Sequence, residues 1–368
     1  MKIFLIAGAR PNFVKVAALV RAFKAFKKSH PASRFTLRLI NTGQHYDFRL
    51  SKKIFQDLDI PTPAANLGVG SASHAVQTAR IMVRFERLLE RERPDLVMVV
   101  GDVNSTLATS LVAAKMRIPI AHVEAGLRSF DRSMPEEINR MVTDAVSDFL
   151  FTTCEEANQN LRLEGKSEKK IFFVGNVMVD TLLAHLEKAE RSKIKKKFRL
   201  REPYALLTLH RPSNVDCDTD FLEIVKALEE IQKKIRIIFP VHPRTALRLK
   251  KGALSERLRR LKNLQLTPPL GYLDFIHLLK GARLVLTDSG GIQEETTALG
   301  IPCITLRDNT ERPVTLTQGT NVLAGRKSRR IVRLAGAALN GFNTKRFRVP
   351  PLWDGGAADR IVRILARR

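Results

Sequence analysis

A chain of 368 residues, 44% of them apolar, has room for roughly two or three domains around large buried cores. Its three cysteines, Cys154, Cys217 and Cys303, lie far apart with no CxxC pair, which excludes a disulfide framework and a zinc-knuckle spacing; no stretch is apolar for long enough to be a signal peptide or a membrane span, so the expectation is a soluble cytoplasmic protein. The formal net charge of +26 gathers in Arg191–Arg201, Arg248–Lys262 and Arg326–Arg348, where aromatics do not alternate with the charges; these read as solvated faces and linkers, with weak attraction to anionic surfaces and no specific nucleic-acid binding.

Along the chain, short apolar runs alternate with segments of helical period. KIFLIAG precedes a helix over Phe13–Phe26, and FTLRLINTG precedes one over Leu50–Leu58. A long helix, Ser73–Glu92, is expected to be capped by Ser73. DLVMVVGD leads into Thr106–Met116, IPIAHVEAG into Pro135–Ser147, FLFTT into Glu155–Leu163, and IFFVGN into Val177–Lys197. After the basic stretch and Pro203 the pattern restarts. YALLTLH, RIIFPVH, LQLTPPL and RLVLTDSGG precede helices over Phe221–Lys233, Thr245–Lys251, Leu273–Leu279 and Ile292–Leu299; PCITLR, NVLAG and a helix over Arg330–Leu339 follow. Such alternation predicts parallel sheets covered on both faces. The expected architecture is α/β, with two Rossmann-like doubly wound domains facing a cleft: 1–190, joined by a C-terminal helix over 355–368, and 203–354, with 191–202 as a basic linker.

Ligands of open parallel sheets bind beyond the carboxyl ends of the strands, and the unusual polar residues fall there. Asp288-Ser289-Gly290-Gly291 ends a strand and opens a helix. Its glycines allow close backbone approach, its helix start attracts phosphate, and a carboxylate one turn inside, in Glu294-Glu295, can accept ribose hydroxyls. The same residues also suit a plain tight βα turn with a dipole-favoured acidic first turn. Gly8-Ala9-Arg10-Pro11 lacks the GxGxxG pattern of dinucleotide binding. Arg10 and Lys15 at that helix mouth make either a diphosphate clamp or ordinary surface cations.

Asp102 and Glu124 end separate strands, and Glu136 and Glu137 follow Pro135 at a helix start. Acids converging on one sheet edge raise one another's proton affinity, which prepares acid–base work. His210 and His242 end strands of the second half, where His210 can donate to a leaving oxygen or a sugar hydroxyl. No HExxH, close i,i+4 ligand pair or GxSxG occurs, so neither a metal site nor a serine hydrolase is expected.

Taken in order, these segments resemble the non-hydrolysing UDP-N-acetylglucosamine 2-epimerases: GARPNFVK (Gly8–Lys15), TGQHYD (Thr42–Asp47), GDVNST (Gly101–Thr106), HVEAGLRS (His122–Ser129), PEEINRMVTD (Pro135–Asp144), GNVMVDTL (Gly175–Leu182), HRPSNVD (His210–Asp216), PVHPR (Pro240–Arg244), LTDSGGIQEE (Leu286–Glu295) and RDNTERP (Arg307–Pro313). The resemblance implies a glycosyltransferase-B-like fold, a homodimer, no cofactor or metal, and supply of cell-surface polysaccharide precursors. It assigns catalysis to Asp102, Glu124, Glu136 and His210, and UDP binding to Arg10, Lys15, Phe275, Ser289, Gly290, Gly291 and Glu295. It places a second, activating substrate at Gln44, Arg211 and His242. Ala9 and Asn12 depart from the frequent GTRPE, and Pro212-Ser213-Asn214 from HRxEN; relatives acting on 2,3-diacetamido uronic acid nucleotides share the first departure.

The implied reaction interconverts UDP-GlcNAc and UDP-ManNAc. The C2 proton is not acidic in the substrate, because no carbonyl neighbours it. Breaking C1–O first makes an oxocarbenium-like centre that acidifies C2–H. Anti-elimination then gives UDP and 2-acetamidoglucal, and re-addition with protonation on the other face gives the epimer. Two protonic groups on opposite faces are needed, which a cluster of acids provides. Hydrolytic epimerisation and glycosyl transfer are the competing uses of such a site.

Overall fold

The computed structural model describes residues 1–44, 54–201, 203–249, 253–341 and 347–368, apart from the side chains of Arg10, Pro11 and Ala253. They form two compact units, 1–184 with 351–368, and 185–350.

The first unit is a seven-stranded parallel sheet of order β3-β2-β1-β4-β5-β6-β7. Its strands are β1 (Lys2–Ala7), β2 (Thr36–Asn41), β3 (Ala65–Asn66), β4 (Leu96–Val100), β5 (Ile120–Ala125), β6 (Phe149–Thr152) and β7 (Ile171–Phe173). Every residue of β4 and β5 is buried, as expected where helices cover both faces. The strand order reverses at the neighbouring pair β1 and β4, the switch point beside which such sheets bind ligands. The first helix, Arg10–Ser29, starts there, and the buried Asn12 side chain ties it to the sheet by donating to the Val100 carbonyl at 2.8 Å.

The helix His74–Arg91 buries Ile81, Phe85, Leu88 and Leu89, one stripe at helical spacing, and Ser73 Oγ accepts from the Val76 amide as anticipated. At the chain's end the helix Ala357–Ala366 buries Ile361, Val362 and Leu365 in this same unit. Asp180 satisfies two of that helix's orphan amides, accepting from Ala357 at 3.2 Å and Ala358 at 2.7 Å.

The second unit is a six-stranded parallel sheet of order β10-β9-β8-β11-β12-β13. Here β8 is Tyr204–Thr208, β9 Arg236–Pro240, β10 Leu264–Thr267, β11 Leu284–Thr287, β12 Cys303–Thr305 and β13 Asn321–Leu323. Its switch point lies between β8 and β11, paired through Thr208 and Thr287.

Several boundaries differ from the sequence pattern. The helix expected over Val177–Lys197 stops at Glu190, and a separate turn, Ile194–Lys197, follows. Ser192 causes the break: its hydroxyl accepts from the Ile194 amide and donates to Asp274, a local alternative to helical bonding. The basic stretch 191–201 therefore carries helix and groups with the second unit. Between Pro243–Arg248 and β10 lies an unanticipated helix, Ala253–Arg259. The two-residue β3 was too short to signal itself. Of the expected helix Leu50–Leu58, residues 50–53 lie outside the described residues and 54–57 are helical. Among the described residues no helix is long and apolar enough to cross a membrane.

Candidate active site

At the switch point of the first unit, Glu124 ends β5 with φ +73°, and the β5–β6 register shifts between Val123 and Ala125. A left-handed conformation in a residue with a Cβ costs roughly 1–3 kcal/mol and persists only where its surroundings impose it. The bulge re-aims the carboxylate. Glu124 is buried and receives the ammonium of buried Lys15, from the first helix. Gly101 makes room for this approach: it too has positive φ, and a Cβ there would sit 3.0 Å from Lys15 Nζ.

Asp102 follows β4 and is half-buried, with Arg140 Nη1 on its carboxylate. Arg140 is among the largest fully buried side chains of the protein and also binds Glu137. The Glu137 carboxylate in turn accepts from the Ser129 amide at 2.9 Å, the Ser129 hydroxyl at 2.9 Å and the Phe130 amide at 2.9 Å. Burial pushes Glu137 up, but the Ser129 amide and Arg140 outweigh it and hold the carboxyl below its ordinary value. Glu136, the second residue of the helix Pro135–Val146, is half-buried and makes no hydrogen bond or ion pair to a described residue. Asp102, Glu124 and Glu136 thus differ in kind: one anchored to an arginine, one to a lysine, one open.

Beneath them lies a buried scaffold. His122 Nδ1 meets Asp144 at 2.6 Å and Nε2 meets the Gly101 carbonyl at 2.9 Å. Asp144 also binds Arg128 at 2.7 Å and accepts from the Gly126 amide at 3.0 Å. Burial raises the Asp144 carboxyl, and the charges of His122 and Arg128 more than reverse this. The tie from β5 to the end of β4 fixes Gly101, and with it Asp102. Gln44 is buried nearby, its carbonyl accepting from the Ser105 amide at 3.2 Å and the Ser105 hydroxyl at 2.7 Å. His45, Tyr46 and Asp47 of the same motif lie outside the described residues, as does the Arg10 side chain.

At the other switch point, Asp288 directly follows β11 and is fully buried. It accepts from the His210 amide at 2.9 Å, the Arg211 amide at 2.9 Å and Asn214 Nδ2 at 3.2 Å, and pairs with His210 Nδ1 at 2.8 Å. Ser289, half-buried, caps the helix Gly290–Leu299 in backbone conformation only; its side chain makes no capping bond. Gly290 and Gly291 open that helix, whose first amides have no acceptor within it. Glu295, one turn in, is buried and takes one hydrogen bond, from the Tyr272 hydroxyl at 3.2 Å. Burial pushes its carboxyl up to about 8, with the neighbouring Glu294 adding and Tyr272 opposing. Phe275 lies half-buried on the same helix as Tyr272, Tyr272–Lys280. Arg211 reaches Glu311 at 3.6 Å, and Glu311 binds Arg307 at 2.9 Å, holding the RDNTERP segment beside the helix start. The His242 ring stands 5.5 Å from that of His210 and accepts from the Arg244 amide.

In the first unit Asp102 and Glu124 stand at the carboxyl ends of neighbouring strands and Lys15 reaches Glu124; in the second, His210 and Ser289 stand on either side of Asp288. Nothing in the sequence pattern pointed to Arg140, Asp144, His122 or Tyr272 as the groups that hold the candidates, nor to that role for Glu137 and Asp288. Their signal was faint. Glu137 and Arg140 stand at i,i+3 on a helix, and Asp288 was present only as the first letter of a glycine-rich turn. Among the described residues no group of three or more His, Cys, Asp or Glu is placed to hold a metal ion.

Two parallel α/β units, acids at the switch point of one, and a His–Asp pair beside a glycine-rich helix start in the other define an enzyme of the glycosyltransferase-B-like class. A family model described as UDP-N-acetylglucosamine 2-epimerase matches residues 27–366. The UDP-N-acetylglucosamine 2-epimerase of Methanocaldococcus jannaschii is 44% identical over 99% of both chains, and that of Escherichia coli K12 is 35% identical over 99% of this chain and 98% of its own. A crystal structure of the M. jannaschii enzyme in complex with UDP-GlcNAc and UDP matches all of both chains with a TM-score of 0.92. That of the Neisseria meningitidis enzyme bound to UDP-GlcNAc does so at 29% identity and 0.90. The chain belongs to the UDP-N-acetylglucosamine 2-epimerase family and is an isomerase.

Proposed function

We propose that this enzyme interconverts UDP-GlcNAc and UDP-ManNAc by anti-elimination of UDP and its re-addition to 2-acetamidoglucal. The observation that carries the reading is the trio of acids at one sheet edge in three different environments. Asp102, ion-paired yet half-buried, and the open Glu136 are assigned the proton exchange at C2. Glu124, held on Lys15 against backbone strain, supplies fixed negative charge to the cationic centre at C1, or a further proton-transfer group. Within the second unit the Ser289 helix start is assigned the departing diphosphate, Glu295 the ribose and Phe275 the uracil; Arg10 of the first unit is assigned a diphosphate contact by the family resemblance alone. Lys15 serves Glu124 first, so the phosphate charge falls mainly to Arg10. The proton NMR spectrum of purified enzyme with UDP-GlcNAc alone tests the reading. A mixture of two UDP-sugars is expected; free sugar would mean hydrolysis, and no change until an acceptor is added would mean transfer.

A second reading concerns the sugar. A Pseudomonas aeruginosa UDP-2,3-diacetamido-2,3-dideoxy-D-glucuronate 2-epimerase is 42% identical over 92% of both chains. Comparing kcat/KM for the two nucleotide sugars decides between them. A homodimer in the cytoplasm, feeding cell-surface polysaccharide synthesis, completes the proposal. Sedimentation equilibrium checks the dimer, and Gln44, Arg211 and His242 remain its candidate activating site.

Two expected results follow from the nucleotide assignments. Arg10→Ala should weaken UDP binding by roughly 1–3 kcal/mol, the scale of a lost charge-assisted contact; unchanged affinity by calorimetry removes Arg10 from the site. Glu295 should link binding to pH. Its carboxyl, raised to about 8 by burial, is largely protonated at neutral pH, whereas ribose hydroxyls donate best to the ionised form. UDP binding near pH 7 should therefore release protons, fading as pH rises past about 9, where the free group is already ionised. Titration calorimetry in buffers of different ionisation enthalpy reads this, and Glu295→Gln should abolish it. No release by the wild type would detach Glu295 from the ribose.

A further inference from the structure

We infer that Asp288 is a positioning residue that fixes His210 with its exchangeable proton on Nε2 and registers that nitrogen to the phosphate-receiving helix end. The inference rests on the reading of His210 as a group of the epimerase site and deepens it.

The four hydrogen-bonding partners of Asp288 given above all lie within 210–214, the segment that leaves β8, and the carboxylate itself leaves the adjacent strand β11. Three of them position the backbone and Asn214; the fourth is the imidazole. The His210 side chain is 37% exposed while Asp288 is fully buried, so the ring is gripped on its inner side only. An ionised carboxylate can only accept, which obliges Nδ1 to carry a hydrogen. Nε2 then holds the lone pair when the ring is neutral and the second proton when it is cationic, and it makes no hydrogen bond to a described residue.

Burial alone would push the Asp288 carboxyl up, but the His210 charge and the amides of 210 and 211 outweigh it and keep it ionised. That ionised carboxylate orients the ring and fixes its tautomer, as second partners of functional histidines do. The residue after Asp288 is Ser289, the cap of the glycine-rich helix. One buried side chain therefore sets both the direction of an N–H donor and the start of the helix that attracts phosphate. In elimination, Nε2–H hydrogen-bonds to a diphosphate oxygen as the C1–O electron pair departs with UDP; in re-addition the same bond holds UDP for attack. No proton is consumed in either direction.

The test combines two variants with the wild-type ring. His210→Asn should lose activity; full activity there would sink the His210 reading itself, apart from anything Asp288 does. With that established, Asp288→Asn should lower kcat by more than about tenfold with a smaller change in KM. A purely structural Asp288 would lower the amount of folded enzyme and leave kcat per folded molecule unchanged, and that result overturns the inference. Asparagine would turn an NH2 group toward backbone amides and could cost the fold. Nitrogen-15 spectra of the wild-type histidines, with His210 assigned from the His210→Asn difference, decide in that case. A protonated Nδ1 at every pH is expected, and a neutral ring protonated on Nε2 would contradict the inference.

Discussion

Asp102→Asn is expected to reduce turnover by about 10²–10⁴-fold, the usual contribution of a positioned proton-transfer group, while UDP affinity changes less than about threefold. The amide keeps the shape and can still accept from Arg140, which binds the native carboxylate. It cannot take up a proton, and it removes the charge that a cationic C1 centre would feel. Glu136→Gln should impair catalysis too, releasing glucal and UDP if re-protonation fails. The contrast with Glu137 is informative, because Glu137 already spends its oxygens on Ser129, Phe130 and Arg140. Its loss should act through stability rather than chemistry. Initial rates by NMR and UDP titrations separate these effects; full activity in both amide variants would sink the assignment of the acids.

Arg140→Met should be the most destabilising single change at this edge. The guanidinium is fully buried between Asp102 and Glu137, and removing it leaves one carboxylate buried and another half-buried without their shared counter-charge. Breaking a buried ion pair from one side costs about 3–5 kcal/mol. With a shift of roughly 2–4 °C per kcal/mol for a unit of this size, Tm of the first unit should fall by about 6–20 °C. The loop carrying Ser129 and Phe130 should become more susceptible to proteolysis, since its anchor Glu137 is held by Arg140. Phe130, 79% exposed with φ +57°, has little else to keep it in place. A Tm within 2 °C of the wild type would show that the buried network is not what holds this edge.

The strands and most helices were legible because each carries its own period: β4 reads LVMVV because both its faces are covered, and Ser73 announces the helix behind it. The candidate residues were legible because polar groups stand out after apolar runs, and because ten short motifs recur in the order of a known family. What the pattern does not encode is which side chain a given group will meet. Asp288 reaches back 78 residues to His210, and Arg140 reaches 38 to Asp102. Such pairs are decided by strand order, which no local window contains. The bulge at Glu124 is hidden likewise, since an acid at the end of an apolar run gives no sign that it adopts φ +73°. Where local hydrogen bonding competes with periodicity, as at Ser192, the helix stops although the apolar pattern continues. Lys15 was legible as a cation at a helix mouth, but its described partner Glu124, 109 residues away, was not.

The central claim, that C2 is inverted through elimination and protonation by acids of the protein, is tested most directly by running the reaction in deuterium oxide. A proton removed by a carboxylate exchanges with solvent before re-addition, so product UDP-ManNAc should carry deuterium at C2, and UDP-GlcNAc recovered after prolonged incubation should carry it too. Mass spectrometry and the C2 proton resonance both read this. Epimerised product that retains its original hydrogen at C2 would contradict the mechanism and with it the roles given to Asp102 and Glu136.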